Sequence, residues 1–232
     1  MSIFVSFGVI FLAALIHASL QLDVGGLILL YHSSQKKHIT KTTRILASNF
    51  ILGAALMILL GLTASAFVIL AFFGGELGVV EISLLIGLLF SLAIIIWFAY
   101  YRAGRSTELW LPKSVTRFVN SRAETTSSRI EAFSLGMLTC LAEFPFSLIL
   151  VFLAADSFLK LSSEFQLVAI LVYIIISVLP LIICRVFVRK GSTVAEIQRW
   201  RVKNKNFLRI FSGILFAVFA VFLTAFKVVG NL

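Results

Sequence analysis

A histidine, a glutamine and an aspartate stand inside the first apolar run of the chain, at His17, Gln21 and Asp23. The run reads IFVSFGVIFLAALIHASLQLDVGGLILLY from Ile3 to Tyr31, and Gly25 and Gly26 follow the aspartate. Polar side chains are costly among Phe, Ile, Leu and Val. Inside a membrane they mark ion sites, proton relays or substrate paths. His17 and Gln21 are four apart and share a helix face, and Ser19 and Asp23 share a neighbouring one. A second acid, Glu143, lies two residues before Pro145 in a later apolar run. A carboxylate there must be paired, hydrated or protonated, and a group that changes between those conditions is suited to carry a proton. His17, Gln21, Asp23 and Glu143 are therefore the candidate substrate- or proton-binding residues. Gly25, Gly26 and Pro145 are the candidate helix breaks, because glycine and proline interrupt the backbone ladder.

Other chemistry is poorly provided for. Imidazole with carboxylates suits manganese or zinc, but no pair of histidines stands at helical ligand spacing, so no metal is assigned. No phosphate-cradling glycine loop with a following Lys-Ser/Thr is present. No nucleophile with base and orienting group stands out either. The expectation is a protein that is not an enzyme and holds no cofactor.

The elements that must position these residues follow from composition. Hydrophobic residues make up 60% of the 232 positions and charged residues 13%, against roughly 25% charged in soluble domains. Six long apolar runs occur, at Ile3–Tyr31, Ile45–Phe73, Ile82–Tyr101, Ala132–Ala155, Phe165–Val188 and Phe207–Val229. Each is long enough for a helical span, and none alternates as a barrel strand does. The expected fold is an all-α integral membrane protein of six transmembrane helices. The first run has no basic residue ahead of it and is polar near its middle, so it reads as a retained span rather than a signal peptide. Asn49 reads as helix–helix glue, Pro180 as a kink, and Lys227 as a side chain snorkelling to the interface.

Charge in the connections alternates. His32–Arg44 is basic, Gly74–Glu81 acidic, Arg102–Arg129 basic, Asp156–Glu164 acidic on balance, and Arg189–Lys205 basic. Basic loops stay cytoplasmic, which places both termini outside in a multi-pass protein of the plasma (inner) membrane. The net charge of +10 is thus a topology signal; its partner is membrane lipid rather than nucleic acid. Within the longer basic connections, Val115, Phe118 and Val119 after Pro112 fall on one helix side. Thr193-x-x-Glu196 is a capping-box pattern ahead of Val194, Ile197 and Trp200 at helical spacing.

Three spans on either side of the middle connection divide the chain into a first half (residues 1–101), a basic cytoplasmic loop (102–130) and a second half (131–232). An odd number of spans per half is the arithmetic of an inverted three-plus-three repeat. QLDVGGLILL set beside EFPFSLILVF pairs Gln21 with Glu143 and Asp23 with Pro145.

In order and spacing, these features resemble the lysine-exporter superfamily of small membrane transporters. The counterparts are QLDVGG in span one, the basic turn SSQKKHITKTTR, the glycine-spaced SNFILGAALMILLGL, and AFSLGMLTCLAEFPFSLILVFLAAD with Phe133, Gly136 and Glu143-Phe144-Pro145. Gln21-Leu22-Asp23 replaces that superfamily's paired prolines, and its asparagine before the span-four proline is absent. The resemblance implies a secondary transporter, an exporter of a small solute or ion coupled to a proton or ion gradient, with its site between spans one and four. A non-transporting membrane scaffold or assembly factor is the alternative. A transmembrane thiol carrier ranks below both, since Cys140 and Cys184 lie in the same half and Ala18 aligns with Cys140. A homodimer is compatible with a chain of this size, but no interface is assigned.

The charge alternation generates a direct test. Single cysteines placed in the Arg102–Arg129 connection are expected to resist an impermeant reagent applied from outside, while cysteines at either terminus react. Labelling of the middle connection from outside would overturn the orientation.

Overall fold

The computed structural model describes residues 3–20, 22–35, 40–98, 113–189 and 194–229. Among them are nine α-helices: α1 (Ile3–Leu20), α2 (Leu22–Gln35), α3 (Thr40–Phe72), α4 (Val79–Phe98), α5 (Lys113–Thr125), α6 (Arg129–Leu159), α7 (Ser163–Arg189), α8 (Val194–Lys203) and α9 (Lys205–Leu223). A π-helical turn at Thr224–Val228 follows α9. Six helices, α1, α3, α4, α6, α7 and α9 with its π turn, are long and apolar enough to cross a membrane. No strand occurs among the described residues. The 18 residues of α1 span about 27 Å at about 1.5 Å per residue, close to the hydrocarbon thickness of a bilayer.

The helices run past the apolar stretches because local chemistry decides their ends. Ser128 caps α6 by accepting from the Glu131 N–H, and the Glu131 carboxylate accepts from the Ser127 and Ser128 N–H groups. α3 ends at Gly74 and Gly75, whose φ values of +68° and +98° suit glycine alone. The middle connection, expected as a loop, contains α5, with Val119 and Ala123 buried. α8 forms where Val194, Ile197 and Trp200 shared a face, though Thr193 lies outside the described residues.

Two expectations are corrected. The first apolar run is not interrupted at Gly25–Gly26: α2 runs unbroken through both glycines. Pro145 does not end α6 either, which is helical from Arg129 to Leu159. The glycines serve close approach instead. A Cβ on Gly26 would stand 2.8 Å from Thr139 Cγ2 and 3.2 Å from Phe50 Cζ, so only a bare backbone lets α2 lie against α3 and α6.

Packing is organised around α6. α3 and α1 pack against it, α1 also against α7 and α9, α3 against α7, and α4 against α9. α3 and α6 meet most closely. A Cβ on Gly53 would strike the Phe133 carbonyl oxygen, and one on Gly136 would strike the Phe50 carbonyl oxygen. The same Phe-x-x-Gly unit occurs on both helices, each glycine opposing the other's phenylalanine backbone. Small residues drive such approach where lipid removes the hydrophobic incentive for association. The outer surface is apolar: Leu52, Leu84, Leu88, Ile94, Leu171, Ile175 and Val218 are all exposed, as a hydrocarbon-facing surface requires.

The connections separate into two ends. α2 packs against α5 and α8, which joins the three basic connections at one end. At the other, Leu77 and Glu76 meet Asp156 and Lys160. The alternation read from charge is thus an alternation in space.

Gly136→Val is expected to destabilise the fold by about 1–3 kcal/mol through overpacking at the α3–α6 crossing. Gly87, with nothing within 4 Å of its built Cβ, should accept Ala without loss. Thermal unfolding in detergent reads both.

Candidate functional site

His17, near the end of α1, and Glu143, near the middle of α6, come together in the interior. Nε2 of His17 lies 3.9 Å from Oε2 of Glu143, and the two side chains are only 3% and 2% exposed. Nδ1 of His17 lies 3.1 Å from the hydroxyl of Tyr173 on α7. The rings meet edge to face at 5.9 Å, and Phe158 closes the far side of Tyr173. The imidazole is held at one nitrogen and faces a carboxyl with the other. Among the described residues Nε2 makes no hydrogen bond, and 3.9 Å is beyond hydrogen-bond range. A small shift of α1 against α6 would bring the two groups into contact.

The site extends along α6. Thr139, Glu143 and Ser147 recur at intervals of four on one helix face, and all three are buried. Thr139 returns its hydroxyl to the Gly136 carbonyl, whereas the Ser147 hydroxyl has no hydrogen-bond partner among the described residues. Ser212 on α9 donates to the Ser19 carbonyl at 3.3 Å. The polar seam therefore runs between α1 and α6, with α7 and α9 alongside. Neither of two described cavities, one between α7 and α8 and one between α5 and α6, is lined by His17 or Glu143.

The other expected site residues fare differently. Gln21 lies outside the described residues. Asp23 belongs to α2 by its backbone, and its side chain also lies outside the description. No group of three or more His, Cys, Asp or Glu converges as a metal site among the described residues. Cys140 and Cys184 are free, buried thiols. Tyr173, Thr139 and Ser147 were missed from the sequence. The i, i+4 repeat around Glu143 was the available signal for the last two; a lone tyrosine in an apolar run carries none.

A second polar cluster was also missed. Lys227 was expected to snorkel to the interface and Asp156 to open a connection. Both are buried instead, at 1% and 0% exposure. The Lys227 ammonium donates to Asp156 Oδ2 and lies 3.4 Å from the Ser157 hydroxyl. Asp156 Oδ1 accepts from the Leu77 N–H at 3.0 Å and lies 3.1 Å from Lys160 Nζ, and Lys160 reaches Glu76 at 3.8 Å. The carboxylate thus ties the start of α4, the end of α6 and the π turn after α9 together. The π turn gives Lys227 its inward direction, since the extra residue per turn rotates the side chains that follow.

Comparison with family models, curated proteins and solved structures gives no match.

Removing Lys227 takes away the buried ammonium that donates to Asp156 and leaves the carboxylate with Lys160 and the Leu77 N–H alone. Lys227→Met is expected to cost about 3–5 kcal/mol of stability. The double variant Asp156→Asn with Lys227→Met should recover part of that loss in thermal unfolding. A double variant whose cost equals the sum of the Lys227→Met and Asp156→Asn costs would show that the pair is not coupled.

Proposed function

We propose that the chain is a secondary transporter, an exporter of a small solute or ion coupled to a proton or ion gradient, with its site between spans one and four. The observation that carries this reading is the His17–Glu143 pair, buried between α1 and α6 with Tyr173 on the far ring nitrogen. A packing role does not call for a titratable pair in the middle of a spanning helix, where each charged form is disfavoured.

The pair can hold its proton in two arrangements, neutral acid with neutral imidazole or carboxylate with imidazolium, both without net charge. Gain or loss of one further proton changes the net charge by one. With Nδ1 accepting from the Tyr173 hydroxyl, the neutral imidazole carries its proton on Nε2, on the side facing Glu143. Substrate arriving beside Thr139 and Ser147 would shift the balance between these forms. Gln21 and Asp23 are the further candidates for the path toward the basic end.

An inverted repeat would fit the same reading. Exchanging spans one, two and three with four, five and six carries the principal helix pairs onto one another, though unequally. α1 with α6, α3 with α7 and α4 with α9 are self-paired, α1–α7 exchanges with α6–α3, and α1–α9 exchanges with α6–α4. A two-fold axis in the membrane plane produces that pattern, and transport sites lie at such repeat interfaces near the midplane. The same reading places the chain in the plasma membrane with both termini outside.

The test is Glu143→Gln, which keeps size and hydrogen bonding and removes titration. Cells lacking the protein, screened for sensitivity to amino acids and metal ions, name the solute. Proteoliposomes then compare gradient-driven flux with exchange at equal pH. The variant is expected to reach the membrane, lose gradient-driven flux and retain exchange. Unchanged flux with unchanged pH dependence would make the acid structural. Absence of any solute movement in the unsubstituted protein would favour the scaffold.

A further inference from the structure

Tyr173 does not stand alone on α7. Ser177 follows one turn later on the same helix face, toward the basic end. It is buried, lies beside the Tyr173 hydroxyl, and completes no hydrogen bond among the described residues. Serines elsewhere in the spans return their hydroxyls to their own helix, as Ser83, Ser91 and Ser157 do. Pro180 lies three residues beyond Ser177, inside the helix. Proline has no N–H, so it releases the Ile176 carbonyl from the α-helical ladder. One turn of α7 thus carries two hydroxyls and a released carbonyl. In spanning helices such groups are satisfied by neighbours or by ordered water, and an internal water bonds about three polar groups. A cavity of about 680 Å³, walled in part by α8, reaches Pro180 from the basic end of the bundle.

We propose that the coupling ion is a proton and that it travels between this cavity and His17 through Ser177 and Tyr173. This rests on the transport reading, to which it adds the ion and its route. Hydroxyl, imidazole and carboxyl in sequence pass a proton, whereas hard cations take cages of oxygen atoms. The starting form is a Glu143 carboxylate facing a neutral imidazole with its hydrogen on Nε2. Ser177 takes a proton from the cavity side and gives its own hydrogen to the Tyr173 oxygen, and the Tyr173 hydrogen moves to Nδ1. The imidazolium then releases the Nε2 hydrogen to Glu143. Each hydroxyl ends with one hydrogen, the imidazole ends neutral, and the carboxylate has become the acid; the pair has gone from one negative charge to none. The 3.9 Å gap between Nε2 and Oε2 makes the last transfer wait on the approach of α1 to α6. The helices packed on α1 bring Glu143 from α6, Tyr173 from α7 and Ser212 from α9 to this depth, and the Cys140 thiol stands by Tyr173. Proton and substrate keep separate routes, one along α7 and the other along the Thr139–Ser147 face of α6.

Infrared spectroscopy of the purified full chain after a pH jump tests the route without a solute. The carboxyl C=O stretch of protonated Glu143 is identified by its loss in Glu143→Gln. Tyr173→Phe should slow the appearance of that band by about 100-fold, the lower range for a positioned proton-transfer group. Ser177→Ala should slow it less, since water stands in for the hydroxyl, and Ser177→Thr, which keeps the hydroxyl, should not slow it. Pro180→Ala, which returns an N–H to the Ile176 carbonyl, should slow it too, while Ser91→Ala should change nothing. A band that forms at the unsubstituted rate in either Tyr173→Phe or Ser177→Ala would overturn the route and leave the transport reading standing. Absence of any titrating Glu143 band would remove both. Should Tyr173→Phe fail to fold, the contrast between Ser177→Ala and Ser177→Thr decides.

Discussion

The bilayer interior offers no water, so each polar group carried into it must find its partner inside the bundle or leave the hydrocarbon. That constraint shapes where most polar side chains of the spanning helices go. Hydroxyls turn back to their own helix, as Ser83 does to Val79 and Ser91 to Gly87. Groups that have no such local outlet converge across helices. His17 meets Glu143 and Tyr173, and Asp156 meets Lys227, Lys160 and the Leu77 N–H.

The two convergences differ in kind. Asp156 is surrounded by donors, and its charge is matched by ammonium groups from two elements; an ionised carboxylate is at home there. Such a cluster holds three segments in one arrangement and has little reason to titrate. The His17–Glu143 pair is looser, with 3.9 Å between Nε2 and Oε2. A tight, well-matched pair near one end and a gapped pair at mid-depth suit a structural clasp and a movable centre respectively. Buried pairs of the first kind add little net stability over apolar packing but are costly to break.

Close packing is what makes these meetings possible. The α3–α6 crossing brings backbone against backbone at Gly53 and Gly136, and Gly26 lets α2 lie on the same pair of helices. With α6 held in this way, α1 can reach it along the face that carries Thr139, Glu143 and Ser147. The glycines noticed in the sequence as points of weakness are contact points, because the space a Cβ would occupy is already filled by another chain segment.

What the sequence determined by itself is whatever depends on runs of neighbouring residues. Six apolar stretches of bilayer length specify six spanning helices, since hydrocarbon tolerates little else. The apolar spacings around Val119 and Ile197 foretold α5 and α8, and alternating charge foretold which connections share an end. His17 and Glu143 were legible as costly residues needing company. What only the tertiary structure decided is the identity of that company. Tyr173 looks like any aromatic in an apolar run until α7 lies beside α1. Lys227 reads as a snorkelling lysine near a helix end, yet its partner Asp156 stands 71 positions away and reaches it only because α9 packs at the end of α6. Local pattern shows what a segment costs to bury, while the partners that offset that cost come from other helices, and no spacing along the chain encodes their distance.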